Sequence, residues 1–146
     1  MTPRTLLSAA VCGLVVLGCA YPWPRVAADR ECVSDQCEVK VTVLPGTTGP
    51  CIPDVDVGRV IVDPGKSNPN AGKVIFWEFA SGTTNAQFPA DGIVFAADSG
   101  FQCVRQGQGE RFMCNNARSS GPWKYSVNVV SNGARCEELD PYVVNP

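Results

Sequence analysis

The 146-residue chain contains no histidine. That excludes Ser-His and Cys-His nucleophile pairs, an imidazole general base, and any His-ligated copper or zinc centre. No C-x-x-C occurs, so a thioredoxin-like redox site has no carrier. Charge of one sign is never concentrated. With Lys+Arg 12 against Asp+Glu 14 and a pI near 5.0, the footprint of a nucleic-acid binder or a polybasic membrane surface is missing. Asn115 and Asn128 do not open N-x-S/T sequons, so glycosylation is not implied. Downstream of the leader no segment keeps an apolar spacing of 3.6, and no helix is expected there.

Against these absences stand 8 Cys, 14 Gly and 12 Pro. The Gly and Pro suit a chain of short strands and many turns. The strongest strand signal is Lys73 to Phe79, KVIFWEF, where aromatic and β-branched residues fit a pleated, half-buried surface. Alternation points Ile75, Trp77 and Phe79 one way and Val74 and Phe76 the other. Glu38 to Val43 alternates polar and apolar, as a strand with one wet face does. Val55 to Val62 carries a bend at Gly58-Arg59. Phe101 to Val104 and Arg111 to Cys114 flank a Gly-rich hairpin tip, Trp123 to Val130 is a further strand, and Leu139 to Val144 closes the chain. Seven or eight such strands predict an all-β fold, a small antiparallel β-sandwich or barrel.

The start of the chain reads as an export signal. Arg4 precedes an apolar stretch, Leu6 to Leu17, that is too short to span a bilayer as a helix. Val16-Leu17-Gly18-Cys19 resembles the lipobox of bacterial lipoproteins, which implies lipidation at Cys19 and a membrane association through that anchor. The alternative is an ordinary cleaved signal, cut after Ala20 or Ala28. Residues 20–31, with Pro22, Trp23 and Pro24, read as a linker, and residues 32–146 as the sandwich domain.

Residues 74–146 resemble small uncharacterised exported bacterial β-sandwich domains. The shared features are the W-x-F strand (Trp77, Phe79), Phe101-Gln102-Cys103, Cys114-Asn115, Lys124-Tyr125-Ser126-Val127 and the closing L-D-P-x-V-x-N of Leu139 to Asn145. The resemblance implies a β-sandwich of immunoglobulin-like or cupredoxin-like shape, and it brings no activity with it.

Setting Cys12 and Cys19 aside leaves Cys32, Cys37, Cys51, Cys103, Cys114 and Cys136, an even number that implies three disulfides in an exported domain. Six cysteines allow 15 pairings. Proximity across the hairpin favours Cys103 with Cys114, and more weakly Cys32 with Cys37, which leaves Cys51 for Cys136. Zinc-ligand spacing is not met, and no metal or cofactor is expected. Two carboxylate arrangements remain. Asp54, Asp56 and Asp63 could contribute to a calcium site, although exposed edge-strand acids are the commoner outcome. Glu78 beside Trp77 is the best acid for a glycan hydrolase, although a solvated strand-end Glu is commoner. The sequence therefore points to a non-catalytic envelope binding or structural module with a protein or glycan partner. The alternatives are an inhibitor of a hydrolase and a carboxylate-based glycan hydrolase.

Overall fold

The computed structural model describes residues 28–46, 49–63 and 65–146. The expected signal, the lipobox with Cys19, and linker residues 20–27 lie outside the described residues. The strands in chain order are β1 (Asp29–Cys32), β2 (Gln36–Pro45), β3 (Cys51–Val55), β4 (Arg59–Val62), β5 (Val74–Phe79), β6 (Ala86–Gln87), β7 (Ile93–Phe95), β8 (Phe101–Gln106), β9 (Arg111–Asn116), β10 (Gly121–Val127), β11 (Val130–Ser131), β12 (Ala134–Arg135) and β13 (Tyr142–Asn145). The only helical turn among the described residues is a 3-10 turn at Ala97–Ser99. The described residues form an all-β fold, a small disulfide-stapled sandwich.

Two five-stranded sheets, ordered β3-β2-β5-β9-β8 and β1-β4-β13-β10-β7, face one another, and β12-β11-β6 forms a small third sheet. The KVIFWEF strand sits in the middle of the first sheet. Its alternation sends Ile75 and Trp77 fully into the core and leaves Glu78 on the outer face. From the same sheet Val39, Val41, Phe112 and Cys114 join them. The facing sheet contributes Val60, Val62, Tyr125, Val127 and Val143. Trp77 meets Tyr125 edge-on at 5.2 Å and Phe95 at 6.1 Å between ring centroids, the favoured arrangement for aromatic pairs.

Three features differ from the simplest reading of the sequence. The sandwich is not wholly antiparallel: β1 with β4, β4 with β13, and β2 with β5 pair parallel. The stretch from Val55 to Val62 does not bend within one strand. It crosses between the sheets, β3 pairing with β2 in one and β4 with β13 in the other. The residues expected to end the linker, Asp29 to Glu31, are strand β1, because Asp29 to Cys32 pair in register with Arg59 to Val62.

Candidate functional site

The cysteines join Cys32 to Cys37, Cys51 to Cys136 and Cys103 to Cys114. Cys103 and Cys114 lie directly opposite each other in the β8–β9 hairpin, with Cα atoms 4.0 Å apart. Cys51–Cys136 ties the start of β3 to the segment after β12, and Glu137 N–H donates to the Cys51 carbonyl beside it at 2.8 Å. Three disulfides fit an oxidising, extracytoplasmic compartment. No helix among the described residues is long and apolar enough to cross a membrane.

Glu78 is held on the outer face of the first sheet by two cations. Its Oε1 pairs with Lys40 Nζ, and its Oε2 lies 3.4 Å from Arg111 Nε. Glu38 extends the network, 3.4 Å from Lys40 and 3.5 Å from Arg111. Hydrogen bonding to Glu78 is the largest influence holding the Lys40 ammonium above its usual value. The register explains the cluster: Lys40 stands opposite Glu78 and Glu78 opposite Arg111 across three adjacent strands. The Arg111 guanidinium lies 3.8 Å above the Phe76 ring, a cation–π contact that covers this otherwise exposed aromatic. Trp77, the aromatic neighbour that drew attention to Glu78, points into the core on the opposite side of the strand. A sugar ring could not meet both residues.

Asp54, Asp56 and Asp63 do not converge on one site. Asp56 pairs with Arg30 at 2.8 Å and accepts the Lys40 backbone N–H at 2.9 Å. Asp54 stands on β3 opposite Thr42. Asp63, buried and at φ 39°, accepts hydrogen bonds from Ser67 N–H, Ser67 Oγ and Asn68 N–H at 2.9 to 3.0 Å. Burial pushes its carboxyl upward, but those bonds, with Arg118 nearby, hold it below the ordinary value. Asp63 thus shapes its own loop. Among the described residues no three His, Cys, Asp or Glu side chains gather as a metal site would require.

Two buried polar pairs escaped sequence reasoning. Asn116 and Asn145 exchange side-chain amide hydrogen bonds at 2.8 and 3.0 Å, joining the end of β9 to the end of β13 across the sandwich. Asn145 closes the L-D-P-x-V-x-N stretch, but nothing local in the sequence marks Asn116 as its partner. In the core, Trp77 Nε1 and Tyr125 Oη are buried without a full hydrogen bond. Burial holds the Tyr125 phenol well above its ordinary value of 10.0, with the Trp77 indole N–H pulling weakly the other way.

An open groove of about 530 Å³ lies at one end of the sandwich. It is lined by residues 42–45, 50–51, 81–84 and 131–132, and Cys51 brings the Cys51–Cys136 bridge to its wall. The lining includes the hydroxyl residues Thr42, Thr83 and Thr84 and the apolar Leu44 and Pro45, and none of the described lining residues carries a charge. Such a site can hold an uncharged ligand by hydrogen bonds and apolar contact. None of those described lining residues is an acid that could protonate a leaving group. No protein-family model matches the chain, and no curated protein matches it with significant similarity.

Proposed function

We propose that the protein is an exported, non-catalytic binding module of the cell envelope, held to the membrane by a lipid at Cys19, with its ligand site in the groove at the end of the sandwich. The observation that carries this reading is the separation of the carboxylate from the groove. Glu78, the acid best suited to glycan chemistry by sequence, is occupied by Lys40 and Arg111 on an outer sheet face, whereas the groove lining is neutral. Rigid sandwiches commonly present recognition segments at their ends, and here a disulfide fixes one wall. The partner is a protein or a glycan of the envelope.

The test uses immobilised, disulfide-intact protein challenged with envelope extract. A component should be retained by the native protein and lost when Thr83→Trp fills the groove. In parallel, purified protein incubated with cell-wall glycan should release no reducing ends. Hydrolysis that disappears in Glu78→Gln would replace this reading with the hydrolase. If the retained component is itself a hydrolase that loses activity on binding, the module is an inhibitor.

A further inference from the structure

The groove lies where one strand of the first sheet runs out before its neighbour. The parallel β2–β5 ladder ends at Val41 opposite Phe79, with Ala80 N–H donating to the Val41 carbonyl at 2.8 Å. Ala80 then turns away, its carbonyl accepting Thr83 N–H at 3.1 Å. Strand β2 continues to Pro45, paired on its other side with β3. Backbone groups of successive strand residues point to alternate sides. Lys40 carbonyl accepts Asp56 N–H on the β3 side, so Thr42 and Leu44 also turn toward β3, while Val43 turns toward the lane that β5 has left. Pro53, which has no N–H, stands opposite Val43 and agrees with this assignment. The Val43 N–H and carbonyl and the Pro45 carbonyl therefore face the groove.

We infer that this lane accepts an extended polypeptide segment of a partner protein, added as a short strand beside β2. The inference rests on the binding-module reading above and names the partner class. Three features select that occupant. The Val43 backbone supplies one donor and one acceptor in strand geometry, which a peptide backbone matches without regard to sequence. Val43 faces the core side and Leu44, 44% exposed, faces outward, so an added strand would find an apolar contact on each face. The lining is uncharged, so Lys, Arg, Asp or Glu entering the lane would lose hydration with no opposite charge to meet. Pro45 offers no N–H, which ends the lane and limits the contact to about four residues of β2.

The test uses the full mature chain, isotopically labelled, with an acetylated and amidated heptapeptide of alternating Val and Thr as probe. Saturable shifts at Val43, Leu44 and Thr83, with slowed hydrogen exchange at the Val43 amide, are expected. N-methylation of alternate peptide amides should weaken binding roughly tenfold for each bond lost, and Thr83→Trp should abolish it. Equal binding of the N-methylated peptide, shifts confined to another strand edge, or no saturation at millimolar peptide would each overturn the inference. If a soluble N-acetylglucosamine tetramer saturates the groove and the peptide does not, the strand proposal falls and the binding module stands. If that tetramer is hydrolysed, both fall.

Discussion

Removing Cys51–Cys136 should destabilise the protein more than removing either other bridge. The ranking comes from chain separation. Cys51 and Cys136 are 85 residues apart, Cys103 and Cys114 are 11, and Cys32 and Cys37 are 5. A crosslink restricts the unfolded chain in proportion to the logarithm of the loop it closes, so the three bridges contribute about 4.5, 2.8 and 2 kcal/mol. The largest figure allows for the 103–114 bridge already shortening the 51–136 loop. Paired Cys→Ala substitutions remove each bridge without leaving a thiol, and urea unfolding can be followed by the fluorescence of buried Trp77. The Cys51→Ala/Cys136→Ala protein should show the largest fall in stability and a rise in m-value, because its unfolded chain expands most. If it loses less stability than Cys103→Ala/Cys114→Ala, the entropic ordering is wrong and local packing around each bridge decides.

Tyr125 makes the protein sensitive to alkali. Its phenol is held neutral by burial while the unfolded phenol ionises near 10.0, so its contribution is complete below that pH and falls by about 1.4 kcal/mol per unit above it; Tyr125→Phe should flatten the alkaline limb of a pH-dependent melting curve. At the acid end, Asp63, Asp91 and Asp140 are lowered from 3.8 by hydrogen bonds or cation partners; their stabilisation is present above that pH and lost as pH falls below it, and Asp63→Asn should reduce the acid slope. Asn145→Ala leaves the buried Asn116 amide without its reciprocal partner and should cost about 1 to 3 kcal/mol in denaturant unfolding. Cys19→Ala should move the protein from the membrane fraction to the soluble fraction; wild-type protein that is wholly soluble would refute the anchor.

Much of the fold was legible because strand signals are local. KVIFWEF displays its two faces by alternation, and a Gly-rich tip flanked by two cysteines specifies the β8–β9 register within a few residues. The parallel pairings were not legible, since β1 and β13 meet β4 through partners distant in sequence and carry the same alternation an antiparallel strand would. The sequence placed Glu78 beside Trp77, but alternation along β5 sends them to opposite faces, and the cations that occupy Glu78 come from strands β2 and β9. Asn116 with Asn145 required the closing of the sandwich. The groove had no motif because it is defined by where β5 stops relative to β2, a difference in strand length that hydropathy does not record.

The bridges also set how far the protein can be drawn out. A pull between Asp29 and Pro146 follows the backbone to Cys32, crosses to Cys37, runs to Cys51, crosses to Cys136 and leaves at the C-terminus. That route has about 27 backbone steps and two bridge crossings, roughly 105 Å at full extension, against roughly 400 Å for the same chain with its bridges reduced. Everything from β4 to β12 stays off the load path as a covalently closed loop, with the Cys103–Cys114 link inside it. An oxidised molecule cannot pass through a pore that admits only a single extended strand. Reduction would have to come first.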